Sequence, residues 1–375
     1  MLTLPNMLMI GSTGRNAGKT EFACSLISKF SDRRDIIGIK VTTIRKKDGT
    51  CPRGGRGCGV CSSLVGDYCI TEETDRSSGK DTSRLLAAGA SRVFWLRVMK
   101  THLSEGMTAL SEMTGNRVIW VCESNSLRTA VVPGLFLMVR AHNGGRYKAS
   151  ASAVKEYADR IVLFDGKSFS IDLNDIDIAD GKWTLREHAT MIVMAGGSSR
   201  RMKQDKSMLP IDGVPMIEHV CNQLRYHFDQ ILISADDIEK YAFLGMDVVL
   251  DNAPGQGPLM GIASALEASS NDLNLVVACD IPEINIPLAR FMLREANGYD
   301  AVVPRCGKYI EPLFAVYRKN LVNVLHDLLS AGERKVRSVL ERCNVNFLEL
   351  PVEKSFRNIN TITDYRRYIA ENDTF

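Results

Sequence analysis

The sequence predicts two α/β domains, each built on a mostly parallel sheet, and three observations predict it. The chain has 375 residues, too long for one ordinary domain and suited to two of roughly 180 residues. Two stretches open alike, with a short apolar run, a Gly-rich loop and a helical pattern: residues 7–10 before the loop 11–19, and 191–195 before the loop 196–206. In both halves, short β-rich runs alternate with helical patterns, as parallel sheets require.

In the first half, a helix follows from Thr20, and buried-strand runs lie at 36–41, 93–96, 118–122, 135–139 and 161–164. Residues 48–78 are rich in Gly, Arg, Ser and Cys and read as an inserted loop. Residues 165–188 are polar and Asp-rich with few helix signals, which places the boundary near Arg186 and gives domains 1–186 and 187–375. In the second half, a helix begins near Pro215, and strand runs lie at 231–234, 248–250, 275–278, 301–304 and 347–350.

Hydrophobic residues make up 45% and charged residues 24%, enough apolar material for two cores. A net charge of +3 argues against a global grip on nucleic acid. No run approaches the roughly 20 apolar residues of a membrane span, and the start lacks a signal-peptide pattern. The expectation is a soluble cytoplasmic protein, with its 10 cysteines reduced or bound to metal.

Chemistry concentrates at Ala195-Gly196-Gly197-Ser198-Ser199-Arg200-Arg201-Met202, followed by Asp205-Lys206. Adjacent glycines remove side chains where a chain passes close to a ligand. Ser199, Arg201 and Lys206 add donors and positive charge for a triphosphate; the plain alternative is a Gly-rich turn with surface cations. Asp280 follows the apolar run 275–278, where open α/β folds bind ligands. It suits Mg²⁺, with a helix N-cap ahead of Pro282 as the alternative.

These residues resemble the molybdenum cofactor guanylyltransferase family, whose opening motif reads Leu-Ala-Gly-Gly-x-Ser-x-Arg-Met-Gly-x-Asp-Lys. Met194 stands here for Leu, and Lys203 for the Gly after Met. The resemblance continues through Asp251, Gly257-Pro258-Leu259-Met260-Gly261, Cys279-Asp280-Ile281-Pro282, Glu311-Pro312-Leu313-Phe314-Ala315 and Phe356-Arg357-Asn358-Ile359-Asn360-Thr361, covering residues 190–375. It implies a Rossmann-like nucleotidyltransferase domain that transfers GMP from GTP to molybdopterin with Mg²⁺ and releases pyrophosphate. Lys206, Arg201 and Asp280 would be catalytic. Ala195, Gly196, Gly197, Ser199, Asp251, Gly257, Pro258 and Leu259 would complete the nucleotide site. The glycines of the first loop and the Gly-Pro-Leu turn side with guanine. Asn358 and Asn360 would hold the pterin or the metal, or form an Asn-rich turn; Glu311-Pro312 would orient substrate or open a strand.

In the first half, Gly14-Arg15-Asn16-Ala17-Gly18-Lys19-Thr20 ends like a P-loop, with Thr13 where the strict pattern has Gly. Gly14 and Gly18 would let amides cradle phosphate, Lys19 would reach the outer phosphates, and Thr20 would bind Mg²⁺. Gly38-Ile39-Lys40-Val41-Thr42 and Gly79-Lys80-Asp81-Thr82-Ser83-Arg84 are similar to signatures of the P-loop GTP-binding accessory protein of the same pathway, with Val41 in place of His. That resemblance implies a P-loop NTPase-like fold that assists the transferase, a homodimer, and molybdoenzyme chaperones or apo-molybdoenzymes as partners. Glu123 ends a strand as a Mg²⁺-associated acid or an ordinary strand-end acid. Cys51, Cys58, Cys61 and Cys69, spaced C-x6-C-x2-C-x7-C, suit Zn²⁺ or an iron–sulfur cluster, or are free thiols. Arg53, Arg56 and Lys46-Lys47 nearby contact phosphate or are solvated loop charges. Two other functions stay open: a cytidylyltransferase or other NTP-dependent nucleotidyltransferase, and a GTP-binding cofactor-delivery protein with an inactive transferase half.

Overall fold

A computed structural model describes residues 1–44, 64, 66–115, 118–196, 205–351 and 356–372. The chain divides into two compact units, Met1–Leu185 and Arg186–Phe375.

The first unit carries strands β1 (Leu2–Ser12), β2 (Ile36–Ile44), β3 (Tyr68–Glu72), β4 (Arg92–Met99), β5 (Ile119–Glu123), β6 (Val131–Ala141) and β7 (Arg160–Phe164). They form one sheet in the order β3-β4-β2-β5-β1-β6-β7. Every ladder is parallel except β3–β4. Helices α1 (Lys19–Phe30) and α2 (Asp81–Ala87) cover one face; α3 (Leu103–Thr114) and the single turn α4 (Ala149–Ser152) cover the other. The two-residue period of a strand explains the split. Leu8 and Ile10 pack with Phe22 and Leu26 of α1, while Met7 and Met9 pack with Met107 and Leu110 of α3. Both faces are apolar, so the inner strands read as continuous hydrophobic runs.

Two stretches differ from expectation. Residues 48–78 are not all loop: β3 closes the sheet edge, Tyr68 to Glu72 pairing antiparallel with β4. Residues 165–188, read as a polar stretch at the domain boundary, contain a hairpin of β8 (Ile176–Ala179) and β9 (Lys182–Leu185) across Asp180-Gly181. Ile176, Ile178, Trp183 and Leu185 of that hairpin join the core under α1. The alternation of large apolar residues was the signal, masked by the Asp residues between them.

The second unit runs β10 (Glu187–Met194), the short pair β11 (Pro210–Ile211) and β12 (Val214–Pro215), α5 (Met216–Leu224), β13 (Phe228–Ala235), α6 (Ile238–Tyr241), β14 (Asp247–Leu250), α7 (Pro258–Ala268) and β15 (Leu273–Ala278). It continues through α8 (Ile286–Arg294), β16 (Ala301–Cys306), β17 (Tyr309–Ile310), β18 (Phe314–Arg318), α9 (Val322–Ser330), α10 (Arg337–Leu340), β19 (Val345–Glu349) and α11 (Ile362–Asn372). The sheet order is β14-β13-β10-β15-β18-β16-β17, with β19 beside β16. Strands β14, β13, β10 and β15 are parallel, whereas β18 runs antiparallel to both its neighbours. Helix α7 is apolar nearly all round, and its Leu259, Ile262 and Leu266 are buried against the sheet. No helix among the described residues is long and apolar enough to cross a membrane.

Candidate active site

The carboxyl ends of the four parallel strands of the second unit carry candidate site residues: Ala195-Gly196 after β10, Asp236 after β13, Asp251 after β14 and Asp280 after β15. An open α/β sheet binds ligands at this edge. Lys206, on a single turn opened by Asp205, places its Nζ 3.2 Å from Asp280 Oδ2 and 3.3 Å from Asn360 Oδ1. Asp205 fixes that turn by accepting from Ser207 N at 3.0 Å and Ser207 Oγ at 2.7 Å, and it pairs with Lys240. Ser207 Oγ lies 3.0 Å from Tyr241 Oη, which donates to Ala195 O at 3.2 Å, tying the turn to the first loop.

Asp280 does not cap a helix. Asn285 caps α8 instead, accepting from Leu288 N at 3.0 Å. The Asp280 carbonyl accepts from Ile359 N at 2.8 Å. This contact anchors the strap 356–360, whose Ile359 is fully buried with Leu209, Ile211, Met216 and Tyr368. Glu311 accepts from Asn358 Nδ2 at 3.2 Å and does not open a strand, since β18 starts at Phe314. Burial pushes the Glu311 carboxyl above its ordinary value, and the Asp280 charge adds to this. Asp280 Oδ1 and Asn358 Oδ1 are buried with no hydrogen-bond partner among the described residues.

Asp251 is likewise held above its ordinary range, by burial and then by the charge of Asp236. Glycine is required close by: a Cβ on Gly261 would come within 2.6 Å of Ser234 Oγ and 3.3 Å of Asp251 Oδ1. Gly257 caps α7 with a positive φ of 78°, and Pro258 occupies the first turn. Leu259 is fully buried core, so it can offer a nucleotide only its main chain. Gly197, Ser199 and Arg201 lie outside the described residues. Sequence reasoning missed Asp236, Tyr241 and Lys240, because isolated residues after a strand or on a short helix give no pattern.

In the first unit the turn between β1 and α1 lines a cavity of about 450 Å³ with Gly14, Gly18, Lys19 and Thr20, joined by Asp81, Lys148 and Phe164. Gly18 has φ +87°, and an added Cβ would lie 2.3 Å from the Phe164 ring. No side chain among the described residues caps α1, so its first amides face the loop. Lys19 Nζ sits 3.2 Å from Glu123 Oε2, and Lys40 Nζ sits 3.8 Å from the same oxygen. Glu123 is fully buried and accepts no hydrogen bond among the described residues, so these cations balance its charge. Asp81 pairs with Lys40. Cys51, Cys58 and Cys61 lie outside the described residues; Cys69 sits on β3, where Arg97 Nη2 donates to its Sγ at 3.2 Å.

Residues 191–347 match the MobA-like NTP transferase domain. Among curated relatives, a probable molybdenum cofactor guanylyltransferase of Pelotomaculum thermopropionicum is 39% identical over 193 residues, covering 49% of this chain and 94% of its own. The molybdenum cofactor guanylyltransferase of Syntrophotalea carbinolica is 31% identical over 186 residues, covering 47% of this chain and 89% of its own. The crystal structure of molybdopterin-guanine dinucleotide biosynthesis protein A from Archaeoglobus fulgidus is 29% identical, covers 50% of this chain and 100% of its own, and superposes with a TM-score of 0.43. Through its C-terminal unit, the chain belongs to the molybdenum cofactor guanylyltransferase family and is a nucleotidyltransferase.

Proposed function

We propose that the chain transfers GMP from GTP to molybdopterin, yielding molybdopterin guanine dinucleotide and pyrophosphate. The observation that carries this reading is the meeting of Lys206 and Asp280 at 3.2 Å on the carboxyl edge of the sheet. A phosphate oxygen of molybdopterin attacks the α-phosphorus of GTP; the new P–O bond forms as the bond to the β-phosphate oxygen breaks. No side-chain nucleophile is needed, only alignment and neutralisation of charge. The Ala195-Gly196 turn lets the triphosphate approach the backbone, and Lys206 and Arg201 bind its oxygens. Asp280 fits Mg²⁺, because its Oδ1 is buried and has no hydrogen-bond partner among the described residues. Mg²⁺ held there supplies charge neutralisation on the phosphates. Asn358 and Asn360 position the pterin substrate, and Asp251 reads the nucleotide.

The test is incubation of the purified chain with molybdopterin, Mg²⁺ and labelled GTP or CTP. The guanine dinucleotide should form, and Asp280→Ala should lower turnover by roughly 100- to 1,000-fold without lowering the melting temperature. Wild-type turnover in that variant sinks the assignment of Asp280. Preference for CTP would move the chain to the cytidylyltransferases.

The N-terminal unit binds GTP in its 450 Å³ cavity, Lys19 and the amides of the loop taking the phosphates and Thr20 the Mg²⁺. The Cys58-x-x-Cys61 pair among four clustered cysteines carries a thiolate metal site, with free thiols as the alternative, and metal analysis tests it: one equivalent of zinc or iron, lost in Cys58→Ser, is the expected result.

A further inference from the structure

The entry to the loop between β1 and α1 is gripped from both neighbouring strands. On the β5 side, Asn125 continues the ladder with its side chain: its Oδ1 accepts from Ser12 N at 2.7 Å, and its Nδ2 donates to Ser12 O at 2.9 Å. On the β6 side, Thr13 N donates to Val139 O at 3.0 Å, and Lys148 N donates to Thr13 O at 2.9 Å. The Lys148 side chain then turns back onto the same residues, its Nζ donating to Ser12 Oγ at 3.1 Å. That ammonium therefore lines the cavity that holds Gly14, Gly18, Lys19 and Thr20, although it is remote from them in sequence. A lysine pinned at both its backbone and its tip to the wall of an anion pocket presents charge with little conformational freedom left to lose.

We propose that Lys148 is a second phosphate-binding cation of the N-terminal nucleotide site, mounted on Ser12 and serving the polyphosphate of a nucleoside triphosphate. The inference rests on the GTP-binding reading of that unit. Lys148 leaves Ser12 Oγ for a phosphate oxygen when the nucleotide enters, while Asn125 keeps the loop entry in register.

The test titrates the full chain with Mg²⁺–GTP, taking the binding lost in Lys19→Ala as the signal of this pocket. Lys148→Gln keeps a donor for Ser12 Oγ but removes the charge. It should weaken GTP binding at this site by roughly tenfold or more and leave GMP binding close to wild type. Lys148→Arg should restore most of the GTP affinity, and neither variant should lower the melting temperature. Wild-type GTP affinity in Lys148→Gln, or equal losses for GTP and GMP, overturns the role of Lys148 while leaving the pocket a nucleotide site. If Lys19→Ala binds as wild type does, the nucleotide reading of the unit fails, and this inference falls with it.

Discussion

Asp251 shows what the burial of one carboxyl can cost a fold. Burial, then the nearby charge of Asp236, raises its pKa from 3.8. Its native carboxyl therefore binds a proton more tightly than the unfolded chain does. Between pH 3.8 and the raised native value the folded state holds more protons, so stability falls as pH rises through that window. The loss is complete above the native value. Asp251→Asn should therefore be more stable than wild type at pH 7 and lack that slope, as urea titrations at several pH values would show. The same change should weaken GTP binding by roughly 10- to 100-fold, the worth of a charged hydrogen-bond acceptor. A variant that loses stability at neutral pH would mean that the carboxylate is a structural partner, not a group reserved for ligand.

At the scale of elements, two apolar side chains anchor the strap 356–360: Phe356, whose ring lies 4.6 Å from that of Phe314, and Ile359. Ile359 is fully buried, and its flanking residues Asn358 and Asn360 reach Glu311 and Lys206. Ile359→Ala should cost about 2–5 kcal/mol of stability. It should also reduce kcat/KM, because both asparagines move with the strap. Leu325→Ala, in the core under α9, should cost similar stability and leave kcat/KM near wild type. Equal kinetic damage from both changes would reduce the strap to ordinary packing. The strap was legible as a motif, yet its burial was not, since Ile359 packs on residues far away in the chain. The inner parallel strands were readable because both their faces are apolar. Strand β3 and the hairpin β8–β9 were not, being short, at an edge or off the main sheet, and interleaved with polar residues. Lys206 and Asp280 stood out by spacing and strand position. Lys148, Ser12 and Asn125 did not, because their roles exist only once β5 and β6 lie on either side of β1.

At the scale of the whole molecule, each unit places a lysine–carboxylate pair at the carboxyl edge of its own sheet: Lys19 with Glu123, and Lys206 with Asp280. The two pairs differ in burial. Glu123 is fully enclosed and needs a cation at all times. The Lys206 and Asp280 side chains each keep 20% of their surface exposed. The full chain should therefore bind Mg²⁺–GTP at two sites, one lost in Lys19→Ala and the other weakened in Lys206→Ala. The two sites share no residue, so the losses in the double variant should add to within about 0.5 kcal/mol. Calorimetric titration of the four chains measures this. A single site in the wild type would remove one of the two nucleotide readings, and the variant that abolishes binding would say which survives. A larger departure from additivity would mean that GTP in one unit alters the affinity of the other, a coupling that neither site contains by itself.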